Sequence, residues 1–249
     1  MNPAQAQLQT HLAQLKLAYF QEHYQSLADE AVQQHWTPLD YLSRLVEGEA
    51  LRQMDRTVQR RLAAARFPVL KTLEQFNWNW PKKINRPQVQ NLFRLAFLDN
   101  HANVIFLGGV GLGKTHLAVA LGYAACQQKH SVLFVTAVDV INTLLAAQAI
   151  HSLPEALQRY RRPRLLILDE LGYLPIDKAG ADLLFQVFSQ RYERGSTLIT
   201  TNQAYKNWRR IFNNDSTMTS AVLDRVLQHA ETVPIEGKSY RLKDVSEET

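Results

Sequence analysis

Five short apolar runs recur between residues 104 and 235, and segments with helical spacing of apolar residues separate them. The runs span residues 104–107, 132–135, 165–169, 197–201 and 232–235. Strands that alternate with helices form a parallel sheet that is covered by helices on both faces. The sequence therefore predicts an α/β domain over residues 101–249, built on five parallel strands with flanking helices.

A glycine-rich segment, GGVGLGKT (108–115), joins the first of these runs to the helical segment that follows it. This strand–loop–helix order is the context in which GxxxxGK[ST] binds nucleotide phosphates, through inward-turned backbone N–H groups and the helix N-terminus. We expect Lys114 to reach the β- and γ-phosphates of ATP and the Thr115 hydroxyl to hold Mg²⁺. The predicted ATP-binding residues are Gly108, Gly109, Val110, Gly111, Leu112, Gly113, Lys114, Thr115 and His116.

Two carboxylates end the third apolar run, at the edge of a parallel sheet where ligands bind. Asp169 suits the outer contact to Mg²⁺, and Glu170 is placed to orient and activate a water for attack on the γ-phosphate. Asn202 follows the fourth run directly and is predicted to bind the same water or the γ-phosphate. This set predicts an ATPase, which converts ATP and water to ADP and phosphate.

Arg225 lies on an apolar helical segment near the C-terminus. An arginine there can reach a γ-phosphate bound by a neighbouring subunit and stabilise the transition state in trans, which predicts self-association. The alternative for Arg225 is a surface ion pair with Asp224. The pair Tyr240 and Arg241 is a second candidate for a nucleotide contact.

The chain before residue 100 has helical patterns of apolar residues and no strand pattern. Thr37 as N-cap and Pro38 in the first turn predict the start of a long helix that ends before Pro68. The segment FNWNWPKKINRP (76–87) holds two prolines and no apolar period, which predicts an irregular linker. We therefore expect a small all-α domain for DNA binding and assembly at 1–75, a linker and leading helix at 76–100, and an ATPase domain at 101–249.

The positive charge is confined to one stretch of the chain. Residues 1–51 carry two basic and six acidic residues, whereas residues 52–94 carry ten basic and two acidic residues. This distribution favours contact with a polyanion, and the four-residue spacing of Arg52, Arg56 and Arg60 forms one stripe on a helix. Only Asp55 lies in that helix segment to pair with them. The predicted contacts to duplex DNA are Arg52, Arg56, Arg60, Lys82, Lys83 and Arg86; the alternative is a solvated helix face.

Two further groups leave their roles open. Arg159, Arg161, Arg162 and Arg164 form a second basic cluster, which can serve DNA, a partner subunit or neither. Trp78 and Trp80 are interpreted as packing the linker against a domain, with base or duplex contact as the alternative.

Several classes of protein are disfavoured by composition. The only cysteine, Cys126, rules out an intramolecular disulfide framework and a cysteine-based zinc site, so any metal is expected on oxygen ligands. No apolar run reaches the roughly 18 residues of a membrane span, and the polar first ten residues do not form a signal peptide. We expect a cytoplasmic protein without membrane contact.

The motifs together resemble one family, the IstB-type transposition helper ATPases of bacterial insertion sequences, which are related to the DnaC helicase loaders within the AAA+ ATPases. The resemblance rests on GGVGLGKTHLA (108–118), LLILDELGYLPID (165–177), LITTNQAYKNW (198–208), LDRVLQHA (223–230) and EGKSYRLKD (236–244). By resemblance, 108–115 would be the Walker A motif, Asp169 and Glu170 the Walker B carboxylates, Asn202 sensor 1, and Arg225 an arginine finger.

The resemblance implies an ATP-dependent oligomer on duplex DNA that remodels the DNA and recruits or stimulates a cognate transposase. The alternatives are a DnaC-like helicase loader and a nucleotide-switched DNA-binding regulator without hydrolysis. The sequence departs from the general AAA+ plan because too few residues follow Arg225 for a C-terminal helical lid. A lid-borne sensor 2 arginine would then be absent, or replaced by Arg241.

Overall fold

The computed structural model describes residues 3–240. The chain divides into two units, of which the first ends at Arg60 and the second begins at Arg61. The boundary lies earlier than residue 75, so that 61–75 belong with the second unit. No helix within the described range is long and apolar enough to cross a lipid bilayer.

Helices make up the first unit, in which α1 is Pro3–Gln14, α2 is Ala18–Gln33, and α3, Pro38–Ala65, begins. The start of α3 is the one that Thr37 and Pro38 predict. The Thr37 hydroxyl accepts a hydrogen bond from the Asp40 N–H at 3.2 Å, and the Asp40 carboxylate accepts from the Thr37 N–H at 3.0 Å. This reciprocal capping satisfies backbone donors at the helix start. The Thr37 hydroxyl also donates to the Asp40 carboxylate at 2.6 Å, and this bond, together with the one from the Thr37 N–H, holds the pKa of Asp40 below its ordinary value.

A six-stranded sheet forms the centre of the second unit as described. The five predicted strands are all present and parallel. They are β2 (Asn103–Gly108), β3 (Val132–Thr136), β4 (Leu165–Leu171), β5 (Ser196–Thr201) and β6 (Ala230–Glu236). A sixth strand, β1 (Lys83–Ile84), pairs antiparallel with β6, and the strand order is β1-β6-β2-β5-β4-β3.

The expectation of an all-parallel five-stranded sheet is therefore wrong at one edge. The segment 76–82 is irregular as expected, but β1 and the start of the helix Arg86–Leu92 follow it within the predicted linker at 76–87. A two-residue strand is too short to show a period, and its partner β6 lies far along the chain, so no local pattern marks it. Pro87 does not interrupt structure here, because it lies in the first turn of a helix, where its missing N–H is not needed. The Asn85 side chain caps that helix by accepting from the Gln88 N–H at 3.1 Å.

Helices cover both faces of the sheet. Val104 and Phe106 pack in one core and Ile105 in the other, and all three are fully buried. This burial on both faces explains why the strands are continuously apolar. The helices are α4 (Arg86–Leu92), α5 (Ala96–Asp99), α6 (Lys114–Gln127), α7 (Ala137–Ala149), α8 (Leu153–Arg161), α9 (Lys178–Arg191), α10 (Trp208–Ile211, after a 3₁₀ turn at Tyr205–Asn207) and α11 (Ser216–Leu227).

The position of β5 between β2 and β4 decides which side chains meet. The carboxyl ends of these three strands carry the glycine-rich loop, the two carboxylates and Asn202. The described chain continues past β6 only to Tyr240, and Arg241 lies outside the described residues, so the expectations about a lid and about Arg241 stay predictions.

Candidate nucleotide-binding site

The loop between β2 and α6 depends on two glycines. Gly111 and Gly113 have φ angles of +73° and +84°, which residues other than glycine rarely adopt. Other segments also approach them closely. A Cβ on Gly111 would lie 2.1 Å from the Ser239 Oγ, and one on Gly113 would lie 2.6 Å from a ring carbon of Phe76. The loop is therefore wrapped by chain segments from before β2 and after β6.

Lys114 begins α6, and its ammonium group lies inside the loop. The side chain is only 5% exposed, its Nζ donates to the Gly109 carbonyl oxygen at 2.6 Å, and it lies 5.8 Å from the centre of the Tyr173 ring. The positive group thus lies beside the backbone N–H groups at the N-terminus of α6. This combination binds phosphates.

The Thr115 hydroxyl and the Asp169 carboxylate are in direct contact. Thr115 Oγ1 donates to the two carboxylate oxygens at 3.0 and 3.1 Å, and the Thr200 hydroxyl, from β5, donates to Oδ1 at 2.5 Å. Asp169 is 4% exposed. The two residues predicted to hold Mg²⁺ therefore lie together, with oxygen donors of the kind that Mg²⁺ prefers.

Glu170 has a backbone geometry unlike the rest of β4. Its φ is +60°, and the pairing of β4 with β5 shifts between Leu168 and Leu171. The Glu170 N–H donates to the Thr200 hydroxyl at 3.0 Å, and the Glu170 side chain is exposed. An extra residue that bends a strand re-aims a side chain, and here it turns Glu170 toward the cavity.

A cavity of about 410 Å³ lies at this edge of the sheet, within the range of about 300–1,000 Å³ that is typical of small-molecule sites. The glycine-rich loop from Val110 to His116 lines one side, and Glu170 and Tyr173 lie at another. The remaining walls are Tyr240, which the sequence offered as a candidate, and residues from outside the predicted motifs: Lys71, Gln75, Phe76, Asn77, Trp80 and Pro81.

Two aromatic residues form part of the far wall. The rings of Trp80 and Tyr240 pack edge to face. Trp80 Nε1 donates to the Lys238 carbonyl at 3.0 Å, and the Tyr240 N–H donates to the Gly111 carbonyl at 2.9 Å. Tyr240 was one of the sequence candidates, but no local signal identifies Trp80 as its partner.

His116 lies at the base of the cavity. One ring nitrogen is 2.9 Å from the Thr72 carbonyl oxygen, and the ring packs against Phe76. Burial lowers the pKa of His116, and the charge of Lys71 adds to this. His116 therefore lines the cavity, and its contacts with Thr72 and Phe76 connect α6 to the segment 71–76.

Asn202 and Arg225 do not line this cavity. Asn202 follows β5 directly, and its Oδ1 is buried without a hydrogen-bond partner among residues 3–240. Arg225 donates to the Ala221 carbonyl at 2.9 Å, and its guanidinium lies 4.8 Å from the centre of the Phe185 ring. It makes no ion pair with Asp224 in the described part of the chain.

The arginine stripe of the first unit is partly neutralised. Arg52 makes two hydrogen bonds to the Glu22 carboxylate, at 2.5 and 2.8 Å, which hold the pKa of Glu22 below its ordinary value. Asp55 is the only acidic residue within 52–60, as the sequence shows, but the partner of Arg52 is Glu22, which comes from α2. Arg56 and Arg60 are exposed.

The basic residues of the second unit have weaker partners. Lys82 is exposed, and Lys83 lies 3.8 Å from the Glu236 carboxylate in a pair that is open to solvent. The Arg86 guanidinium lies 5.0 Å from the centre of the Trp78 ring. Such exposed contacts are worth about 0–1 kcal/mol, so these side chains can exchange them for a phosphate.

The second basic cluster lies at the end of α8 and just after it. The buried Arg191 holds the backbone of this segment by hydrogen bonds. Arg161 and Arg162 are exposed, whereas Arg164 pairs with Asp99 at 3.4 Å. Arg191 is 2% exposed. Its guanidinium donates to the carbonyl oxygens of Tyr160, Arg161, Pro163, Arg164 and Ser196 and to the Thr197 hydroxyl.

Comparison with known proteins agrees with this geometry. A family model described as IstB-like ATP binding protein matches residues 10–248. A protein of Pseudomonas aeruginosa, named as an ATP-binding protein of insertion sequence IS21, is 39% identical over 238 residues, which cover 96% of this chain and 89% of that protein.

Solved structures share the fold of about three quarters of the chain or slightly less. A DnaC helicase loader has a TM-score of 0.54 at 22% identity, over 71% of this chain and 99% of that one. DnaA from Aquifex aeolicus, bound to AMPPCP, has a TM-score of 0.57 at 20% identity, over 74% of this chain and 55% of that one. At these identities the likeness shows a common fold.

Proposed function

Since the chain belongs to the family of IstB-like ATP-binding proteins, we propose that it is an ATPase that assists the transposition of an insertion sequence. In this role it binds ATP, assembles on duplex DNA, remodels the DNA, and recruits or stimulates a transposase. The observation that carries the ATPase part is the contact of Thr115 with Asp169, beside the enclosed ammonium of Lys114 and the exposed carboxylate of Glu170.

The cavity suggests how ATP is oriented. The phosphates belong in the glycine-rich loop, where Lys114 and the N-terminus of α6 supply positive charge. The base then belongs at the other end, against Trp80 and Tyr240, with Asn77 available for hydrogen bonding. Aromatic side chains suit the flat face of a purine.

Mg²⁺ fits the donor set at the phosphate end. Thr115 and Asp169 would hold the ion, which would supply positive charge against the phosphates. The described residues contain no cluster of three or more His, Cys, Asp or Glu side chains that could bind a metal by itself.

Glu170 is the proposed general base. Its carboxylate is exposed at the cavity, so it can accept a hydrogen bond from a water and direct that water to the γ-phosphate. Asn202 has an amide oxygen without a partner in the described chain, which suits an acceptor for the same water. Lys114 stabilises the charge that develops on the phosphoryl oxygens.

Arg225 supports assembly into an oligomer. It lies away from the cavity of its own chain and is held by Ala221 and Phe185, without a carboxylate among the described residues to neutralise it. A guanidinium held in this way is available to a γ-phosphate that is bound by a neighbouring subunit. Arg56, Arg60, Lys82, Lys83 and Arg86 are the proposed contacts to duplex DNA.

The decisive experiment measures ATP binding and steady-state hydrolysis with and without duplex DNA and transposase. Lys114→Ala should abolish nucleotide binding. Glu170→Gln should bind ATP with wild-type affinity, lose turnover, and accumulate the ATP-bound oligomer. A Glu170→Gln protein that hydrolyses ATP at the wild-type rate would exclude Glu170 as the general base.

Two alternatives predict other results. A nucleotide-switched regulator would bind ATP and DNA but show no hydrolysis in the wild-type protein. A helicase loader would bind a hexameric helicase in place of a transposase. The insertion-sequence name of the Pseudomonas aeruginosa relative supports transposition, whereas the likeness to the DnaC loader is one of fold.

A further inference from the structure

Asp169 and Glu170 lie opposite a single residue of the neighbouring strand. Leu168 of β4 pairs with Ile199 of β5, and Leu171 pairs with Thr201. Two residues of β4 therefore face only Thr200. In a regular ladder each backbone N–H finds a carbonyl acceptor across the strand, but an extra residue breaks that pattern.

The Thr200 hydroxyl takes over the pairing at this break. It accepts the hydrogen bond of the Glu170 N–H at 3.0 Å and donates its own proton to Asp169 Oδ1. Thr200 is 1% exposed, so water does not compete for either bond. One hydroxyl group thus joins the side chain of the metal-binding candidate to the backbone of the general-base candidate.

We propose that Thr200 is a positioning residue of the ATP site, which sets the orientation of the Asp169 carboxylate and the backbone of Glu170 at the same time. The proposal rests on the proposed ATPase function. A carboxylate oxygen that receives one bond from Thr115 and one from Thr200 is held in a single orientation. The φ of +60° at Glu170, which is costly for a residue with a side chain, is maintained by the bond from its N–H.

Thr200 lies near the carboxyl end of β5, close in sequence to another predicted site residue. Thr200 lies two residues before Asn202, which follows β5 directly. A small movement of the end of β5 would therefore shift Asn202, the proposed γ-phosphate contact, together with Asp169 and Glu170. Thr200 does not touch the cavity itself. It therefore acts through Asp169 and Glu170 and is not a catalytic residue.

The test compares Thr200→Val, which keeps the shape but removes the hydroxyl, with Thr200→Ser, which keeps the hydroxyl. Thr197→Val is the matched control, because Thr197 is also a buried threonine of β5 but lies at the opposite end, where its hydroxyl accepts from Arg191. The measurements are kcat and KM for ATP, the Mg²⁺ concentration for half-maximal rate, and nucleotide affinity with Mg²⁺ and with EDTA. Thermal unfolding of each variant reports on folding.

Removing the hydroxyl should lower kcat by about 10–100-fold, the usual effect of losing a side chain that orients a metal ligand. KM should stay within about twofold, and the Mg²⁺ requirement should rise while nucleotide affinity in EDTA stays unchanged. Thr200→Ser should restore most of the rate. Thr197→Val should show the wild-type rate and Mg²⁺ requirement, even if its unfolding temperature falls as much as that of Thr200→Val.

The proposal is overturned if Thr200→Val keeps the wild-type rate and Mg²⁺ requirement, if Thr200→Ser fails to restore them, or if Thr197→Val shows the same loss. Failure of the ATPase function is a separate result, in which the wild-type protein itself does not hydrolyse ATP. In that case the difference in nucleotide affinity with and without Mg²⁺ still decides the role of Thr200. Hydrogen exchange of the Glu170 amide tests the bond to Thr200 in the absence of nucleotide. The exchange should be faster in Thr200→Val than in the wild-type protein.

Discussion

The rings of Trp80 and Tyr240 pack edge to face with their centres 5.0 Å apart, although the two residues lie at opposite ends of the second unit's sequence. This pair predicts the position of the base. Trp80→Ala should weaken ATP binding by about tenfold, since stacking of a base on an aromatic ring is worth about 1–3 kcal/mol. Equilibrium binding of a fluorescent ATP analogue measures the change.

Inorganic tripolyphosphate serves as the control ligand for this prediction. It has the phosphates without the base, so its affinity for Trp80→Ala should equal that for the wild-type protein. Equal weakening of both ligands would mean that Trp80 supports the loop through the Lys238 carbonyl and does not contact the base.

Arg225→Ala should lower hydrolysis by about 10³-fold or more, the usual contribution of an arginine finger, while nucleotide affinity of the isolated subunit stays the same. The decisive measurement mixes Arg225→Ala with Glu170→Gln subunits. Interfaces that pair an intact Glu170 with an intact Arg225 should regain activity. If verified mixed oligomers show no recovery, Arg225 does not act in trans.

The proposed DNA contacts of α3 can be tested by comparing the exposed Arg56 and Arg60 with Arg52, which is paired with Glu22. Replacing Arg56 and Arg60 by Ala should weaken binding to unrelated duplexes equally and reduce the slope of log affinity against log salt by about two units, since each phosphate contact contributes about 0.9. Arg52→Ala should have a smaller effect, because Glu22 already neutralises Arg52. Fluorescence anisotropy over a salt series provides the measurement.

ATP binding by the Arg56 and Arg60 variant should be unchanged, which separates loss of DNA contact from loss of folding. An unchanged salt slope would assign the stripe to a solvated face. The exposed Arg161 and Arg162 would then become the first residues to test for DNA binding.

Arg191→Met should destabilise the second unit by on the order of 3–5 kcal/mol, because it leaves several buried carbonyl groups without donors. Burial lowers the pKa of Arg191 to about 9, below its value in the unfolded chain. The unfolded chain therefore binds more protons only above about pH 9, and stability from this group should not change between about pH 6 and pH 8. Urea unfolding of the wild-type protein and of Arg191→Met across that pH range measures both the loss of stability and whether the loss changes with pH.

Local sequence determined much of the nucleotide site. The strand, the glycine-rich loop and the helix at 104–127 are contiguous, and the φ angles of Gly111 and Gly113 are ones that glycine readily adopts. The five apolar strands were predictable because burial on both faces requires continuous apolar residues. Since parallel strands place their carboxyl ends at one edge, the sequence also predicted that Lys114, Asp169 and Asn202 lie near the same ligand. Lys114 lines the cavity, whereas Asn202 does not.

Tertiary structure decided the features that join distant parts of the chain. The pairing of β1 with β6, the wall of Trp80 and Tyr240, the two bonds of Thr200, and the ion pair of Arg52 with Glu22 all depend on which segments become neighbours. A single threonine in an apolar strand or an arginine on a helix has no local pattern that names its partner. Those partners are set by the strand order and helix packing, because hydrogen bonds and ring contacts act only over a few ångströms, whatever the separation in sequence.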